Sequence, residues 1–186
     1  WADDFRGAAA TTGSYHNNTQ TSYAFGIYSI YAGGRGANNM AIIRSYFVFD
    51  LSEEDETIDS AEVKIYLDFT GAGTGVSTQA ILGAATSLAG STDDYGNVFV
   101  PGGGGTTLGA EYSDVVSIST TAGYHTFTMN ADALTAINSA VGSGSITIAL
   151  MNYYYDRRNN APTLNGDYMK VNVYYSDDTT SPSIDP

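Results

Sequence analysis

Two segments of the chain alternate strictly between apolar and polar or aromatic positions. In Ala61–Phe69, one parity is wholly apolar and consists of Val63, Ile65, Leu67 and Phe69. The segment Tyr168–Tyr175 repeats the pattern near the C-terminal end of the chain. A period of two is typical of a β-strand with one buried and one solvated face. Both segments are therefore predicted to be half-buried strands.

A third segment, Ala41–Leu51 (AIIRSYFVFDL), is apolar on both parities and carries Arg44 and Asp50 near its ends. Apolar residues on both faces are typical of a central strand that is covered on both sides. Weaker strand patterns occur in five more segments, which are Ala24–Gly33, Val76–Ala84, Asp114–Ile118, Tyr124–Met129 and Ser145–Tyr155.

One short segment has helical periodicity instead. Leu134, Ile137 and Val141 recur at helical spacing, Asn130 can cap the start, and Gly142 can end the last turn. The spacing predicts one short helix at about 130–141.

The strand segments are short and are separated by turns rich in glycine and asparagine, such as GGRGANN, TGAGTG and NGD. Such a pattern indicates an all-β fold, and we predict an antiparallel β-sandwich, jelly-roll-like, with the one helix. Residues 1–176 are predicted to form a single domain, and residues 177–186 have the composition of a linker. The long segment 88–111 lacks periodicity, which is typical of a functional or mobile loop.

Charge and composition argue against two classes of function, nucleic-acid binding and membrane insertion. Lys and Arg number 7 against 20 Asp and Glu, for a formal net charge of −13. Nucleic-acid binding needs basic patches that displace counterions, so we expect no nucleic-acid partner. No apolar run is long enough to span a bilayer, so we expect no membrane insertion. The abundance of Gly and Tyr favours an extracellular, cell-surface or virion location.

Catalytic chemistry has little support. The chain has no Cys, and no strained GxSxG nucleophile turn is present. Its two histidines, His16 and His125, lie in polar or alternating contexts. Carboxylates cluster in Ser52–Glu56 and Thr92–Gly96, but in polar loops where nothing raises a carboxyl pKa. We predict a protein that is not an enzyme and has no catalytic residues.

Three acidic pairs are candidate sites for Ca²⁺, because this ion prefers carboxylate and carbonyl oxygens as ligands. The pairs are Asp3/Asp4, Asp93/Asp94 and Asp177/Asp178, and none has the spacing of an EF-hand. No metal ligand is predicted. A structural Ca²⁺ at one of these loops remains an alternative to solvated turn residues.

The segment Met151–Pro162 (MNYYYDRRNNAP) combines tyrosines with two of the few arginines. If the preceding strand keeps its register, Tyr153 and Tyr155 point outward, whereas Tyr154 and Asp156 point inward. A buried carboxylate is costly unless it is paired. The expected partner is Arg44, with Arg157 as the second choice.

The residues RSYFVFDLS (44–52) and IDSAEVKIYL (58–67) place an arginine, an aromatic-rich strand ending in Phe-Asp, an acidic loop and an alternating strand in series. This series resembles the disaggregatase-related (DNRLRE-type) β-sandwich modules, which look like carbohydrate-binding-module jelly rolls. Similar sandwiches occur in uncharacterised bacterial surface and phage proteins. The resemblance implies an extracellular, non-catalytic module for attachment, or a building block of a surface or virion.

Exposed tyrosines could stack on the apolar faces of sugars, and arginine can bond their hydroxyls. The predicted ligand-binding residues are Tyr95, Tyr153, Tyr155 and Arg157. Alternatively, these tyrosines only provide cross-strand contacts in the sheets. The sequence thus predicts attachment through a polysaccharide or other glycan. The alternative is a purely structural assembly subunit, such as a phage decoration or fibre domain or a self-assembling surface protein, whose partners are neighbouring protein subunits.

Overall fold

A computed structural model describes residues 21–31, 38–69, 78–86, 88–89, 96–98, 107–119, 121–160 and 169–174. Within them the chain forms nine β-strands and one α-helix. The strands are β1 (Thr21–Tyr31), β2 (Asn38–Ile43), β3 (Ser45–Asp50), β4 (Glu62–Phe69), β5 (Gln79–Ala85), β6 (Val116–Ser117), β7 (Gly123–Thr128), β8 (Ser145–Asn152) and β9 (Met169–Tyr174), and the helix is α1 (Ala131–Ala140).

The strands form two sheets in which all neighbouring strands run antiparallel. One sheet has five strands in the order β2-β1-β9-β4-β7, and the other has four in the order β3-β8-β5-β6. The predicted all-β, antiparallel character is therefore confirmed. Several connections pass from one sheet to the other, as jelly-roll folds require, but the jelly-roll sandwich itself stays a prediction.

One apolar cluster joins the two sheets to the helix. The five-stranded sheet contributes Ile65, Leu67 and Phe127, the four-stranded sheet contributes Leu82, Ile148 and Leu150, and α1 contributes Ala133 and Ile137. The alternation predicted for β4 is confirmed where its side chains are described, because Ile65 and Leu67 are buried and Glu62 and Lys64 are exposed.

The prediction of one central strand over Ala41–Leu51 is wrong. The chain breaks at Arg44, so that β2 joins the five-stranded sheet and β3 joins the four-stranded sheet. Moreover, β3 is the outermost strand of its sheet, and Val48 and Phe49 are 53% and 38% exposed. The segment is apolar on both parities because its two halves belong to different sheets, not because one strand is covered twice.

Strand β8 is covered on both faces, as is its neighbour β5. Ile146, Ile148 and Leu150 face the main cluster. On the other face, Ala149 and Met151 form a second cluster with Ile81 and Val98. This outer face is covered by two described pieces of the irregular segment 88–111, namely 96–98 and 107–111.

Backbone hydrogen bonds hold this cover in place. The N–H of Thr86 donates to the carbonyl of Asn97 at 2.9 Å, and the N–H of Gly109 donates to the carbonyl of Val98 at 2.7 Å. Packing is close, since a Cβ at Gly109 would lie 3.1 Å from the Cβ of Ala84. Residues 96–98 and 107–111 are therefore integral parts of the fold.

Residues 111–113 connect the edges of the two sheets. The N–H of Tyr112 donates to Leu82 of β5 at 2.8 Å, and the carbonyl of Tyr112 accepts from the N–H of Asn130 at 2.9 Å. Ser113 also pairs with Met129, which directly follows β7. The same short stretch therefore belongs to the edge of both sheets.

The predicted helix is confirmed with its caps. Oδ1 of Asn130 accepts the N–H of Ala133 at 3.0 Å, which satisfies one of the open donors of the first turn. Beyond the last turn, Gly142 has φ of +68°, a left-handed conformation that favours glycine. Asn138 of α1 bonds both backbone groups of Ile58, at 2.8 and 2.9 Å, and so ties the helix to the loop after β3.

His125 lies on β7, opposite Ile65 of β4. Its Nε2 is buried and has no hydrogen-bond partner. Burial lowers the pKa of this imidazole below its usual value, because a buried charge loses its hydration. The neutral form is therefore favoured in the folded protein.

A pH dependence of stability follows. The unfolded chain takes up a proton at about pH 6.5, before the folded protein does, so acidification favours unfolding. The contribution is full above that pH and is lost as the pH falls toward the lower folded-state pKa. We expect the urea midpoint to fall more between about pH 7.5 and about pH 5.5 in the wild type than in His125→Phe. Equal losses in the two proteins would contradict this role of His125.

Candidate functional site

The segment after β8 does not continue as a strand. Residues Tyr153–Arg157 form one π-helical turn, which Asn152 caps by accepting the N–H of Tyr155 on its Oδ1 at 2.7 Å. The turn ends at Asn159, whose φ of +58° is left-handed, a conformation that asparagine tolerates better than most residues. Asn160 then donates from Nδ2 to the carbonyl of Tyr154 at 2.9 Å.

The turn changes where the predicted residues point. Tyr155 is only 3% exposed and packs edge-to-face on Tyr154, with ring centroids 5.1 Å apart. The prediction that Tyr155 points outward is wrong, because strand alternation stops at Asn152. Asp156 is buried as predicted, whereas Tyr153 is half-buried. The ring of Tyr155 is therefore buried in this structure.

The predicted pairing of Asp156 with Arg44 is confirmed. Nε of Arg44 donates to Oδ2 of Asp156, and Nη2 donates to Oδ1, both at 2.7 Å. Both side chains are fully buried. Arg44 is also the residue at which the chain passes from one sheet to the other. A bidentate pair of this kind compensates both charges and fixes both side chains in place.

Arg157 connects the turn to the cover of the outer face. Its Nε donates to Oε1 of Glu111 at 2.8 Å, and its Nη1 donates to the carbonyl of Gly109 at 2.8 Å. The side chains of Arg157 and Glu111 are 19% and 36% exposed, so both remain partly accessible to solvent.

Arg158 lies on the ring of Tyr153. Its Cζ is 5.2 Å from the ring centroid, and its Nε donates to the tyrosine hydroxyl at 2.8 Å. The hydrogen bond from Arg158 to Tyr153 raises the pKa of the guanidinium, which stays protonated. The Tyr153 ring in turn packs against the outer cluster of Ile81 and Val98.

Tyr153, Arg157, Arg158 and Glu111 form one patch, which we call the arginine–tyrosine surface. It combines guanidinium donors, a carboxylate acceptor and an aromatic ring, all held by contacts with the fold. Sequence reasoning identified Tyr153 and Arg157. It missed Arg158, although the adjacent arginine was a signal, and it missed Glu111, which lies 46 residues from Arg157 and carries no local signal.

A second exposed tyrosine was also missed. Tyr124 of β7 is 53% exposed and meets Tyr66 of β4 edge-to-face, with centroids 5.3 Å apart. The two are direct cross-strand neighbours. Alternation along β7 places Tyr124 on the face opposite Phe127, and this was the signal that could have identified it.

Several other predictions concern residues outside the described ranges. They are the ligand residue Tyr95, the acidic pairs at 3–4, 93–94 and 177–178, and the linker at 177–186. In the part of the chain that is described, no three His, Cys, Asp or Glu side chains are grouped to hold a metal. A structural Ca²⁺ at the acidic pairs stays a prediction.

No helix among the described residues is both long and apolar enough to cross a bilayer. No protein-family model and no curated protein matches the chain. The resemblance to disaggregatase-related modules therefore stays a prediction that rests on the two quoted segments.

The buried ion pair predicts a large effect of truncation. Replacing Arg44 by alanine leaves the Asp156 carboxylate buried without its countercharge, which should lower the free energy of unfolding by about 3–5 kcal/mol. The measurement is urea unfolding of Arg44→Ala and of the double variant Arg44→Met/Asp156→Leu. The double variant should recover much of the loss, because it buries no charge. An unchanged midpoint in Arg44→Ala would show that the pair contributes nothing.

Proposed function

We propose that the chain is a non-enzymatic module for attachment on the outside of a cell or virion, and that it binds glycan through the arginine–tyrosine surface. The observation that carries the proposal is the joint placement of an aromatic ring, two guanidinium groups and a carboxylate on one partly exposed patch. Composition and the resemblance to carbohydrate-binding modules support the same class of function.

The polar groups of the surface suit sugar hydroxyls, each of which both donates and accepts hydrogen bonds. Arg157 offers donors and Glu111 offers an acceptor, and the 2.8 Å bond between them keeps the two groups adjacent. The bond from Arg157 to the Gly109 carbonyl restrains the guanidinium further. Restraint before binding lowers the conformational entropy that binding would otherwise cost.

The aromatic part of the surface suits the apolar C–H face of a sugar ring. Tyr153 packs against the outer cluster, and the guanidinium of Arg158 lies next to its ring, with Cζ 5.2 Å from the ring centroid. A tyrosine with an apolar body and a polar tip can contribute both packing and a hydrogen bond. Because one tyrosine ring and a few polar groups form the patch, we expect modest affinity for a single site.

The test is binding to a glycan array, followed by titration calorimetry on the best glycan. Tyr153→Ala should weaken binding about threefold to tenfold, the range expected for one aromatic contact. Tyr124→Ala is the matched control, because it removes an exposed tyrosine from the other sheet and should leave affinity unchanged. A thermal melt of each variant separates lost contacts from lost folding.

Two results would contradict the proposal. Binding that is lost in Tyr124→Ala and retained in Tyr153→Ala would move the site to the other sheet. Absence of binding to any glycan on the array would remove the glycan function altogether.

A second candidate is a structural assembly subunit. The observation that favours it is the exposure of Val48 and Phe49 on β3, the outermost strand of the four-stranded sheet. Exposed apolar residues on an outer strand are typical contact points between chains.

Light scattering over a range of protein concentrations tests this alternative. If the chain assembles through β3, it should form multimers that Val48→Lys dissociates. Val115→Lys is the matched control, because Val115 is similarly exposed but lies outside β3, and it should leave the multimers intact. A monomer at all concentrations would contradict assembly, and multimers without glycan binding would favour it over attachment.

A further inference from the structure

We infer that the arginine–tyrosine surface selects glycans that carry an anionic group, a carboxylate or a sulfate ester, and that Arg158 binds this group. The inference rests on the proposed glycan function and names the class of glycan within it. Three features of the described residues support it: the pairing of the charges, the orientation of the Arg158 guanidinium, and the distance over which the other charges act.

The first feature is the pairing of charges around the turn. The buried charge of Asp156 is compensated by Arg44, and Arg157 is paired with Glu111. Lys64, on the other sheet, lies 3.6 Å from Glu62. Among the side chains that the structure describes, Arg158 is an exposed cation without a carboxylate partner. Glu111 acts electrostatically on Arg158 as well as pairing with Arg157. The patch still presents two guanidinium groups against one carboxylate, in a protein of net charge −13.

The second feature is which edge of the guanidinium is used. Nε of Arg158 already donates to the Tyr153 hydroxyl, and its Cζ lies 5.2 Å from the centroid of the tyrosine ring. The described residues make no hydrogen bond to Nη1 or Nη2. These two nitrogens form the end of the guanidinium fork, which matches the two oxygens of a carboxylate or sulfate. Arg44 binds Asp156 bidentately through its other edge, Nε and Nη2, in the interior.

The third feature is the range of the electrostatic forces. The net negative charge of the chain repels anions, but exposed charges beyond about 8 Å are largely screened at physiological ionic strength. At contact range, Arg158 contributes a positive charge, while Glu111 and Asp156 are each compensated by an arginine. The long-range field is therefore weak at this ionic strength, and the local charges decide whether an anionic group binds.

The test compares three acidic polysaccharides, polygalacturonate, hyaluronate and chondroitin sulfate, with their carboxyl-reduced or desulfated forms. Retention is measured by affinity electrophoresis at about 0.15 M salt. At least one acidic form should bind better than its neutral counterpart. The arms of the panel separate a preference for carboxylate from one for sulfate.

The critical variant is Arg158→Gln, which keeps a planar hydrogen-bonding group but removes the charge. It should weaken binding of the acidic form about fivefold more than it weakens binding of the neutral form, which is the upper range for an exposed ion pair. Arg158→Lys keeps the charge without the fork and should weaken binding less. Lys64→Gln is the matched control, because it removes an exposed cation from the other sheet and should change neither.

The outcomes separate this inference from the proposed function. Equal binding of acidic and neutral forms, unaffected by Arg158→Gln, would overturn the inference and leave glycan binding intact. Absence of binding to every polysaccharide would overturn both. Binding to polyglutamate as strong as binding to the acidic polysaccharides would assign the site to acidic proteins instead of glycans.

Discussion

The ion pair between Arg44 and Asp156 is the interaction on which the exposed patch depends. Arg44 occupies the point where the chain leaves one sheet for the other, and Asp156 lies inside the turn that follows β8. Neither charge is in contact with water, so each needs the other to stay buried. The pair thereby holds the turn against the sheets, and the turn in turn positions Tyr153, Arg157 and Arg158 at the surface.

The buried charge of Asp156 lies next in sequence to residues of the polar arginine–tyrosine surface. The residues before Asp156 include a buried tyrosine, Tyr155, and those after it include two arginines. A π-helical turn places these neighbours in different environments within five residues. π-Helical turns are uncommon in proteins, but many of those known lie at functional sites. Here the turn directs Asp156 inward to Arg44, and Arg157 and Arg158 toward the surface.

Sequence patterns predicted the parts of this arrangement that depend on local periodicity or on one strong requirement. The alternation in β4 and the caps of α1 are local, and both were predictable. The pairing of Arg44 with Asp156 is not local, but a buried carboxylate must be compensated and the chain offers few cations. These two facts together were enough to predict Arg44 as the partner of Asp156.

Other features were beyond sequence reasoning because periodicity does not report which sheet a strand joins. The apolar run around Arg44 reads the same for one central strand as for two strands in different sheets. Likewise, alternation along β8 gives no sign that the backbone leaves the strand at Asn152, and so Tyr155 was misplaced. Glu111 meets Arg157 only because an irregular segment folds over the outer face of the four-stranded sheet.

The stretch 111–113 also limits how the four-stranded sheet can grow. On that side, backbone groups of residues 112 and 113 are already bonded to Asn130 and Met129, which follow β7, and β6 is only two residues long. Among the described residues, the side of β3 is the more open of the two to a further strand. Pairing through β3 alone would join two chains about a two-fold axis, whereas an open-ended fibre would need a second, different contact surface.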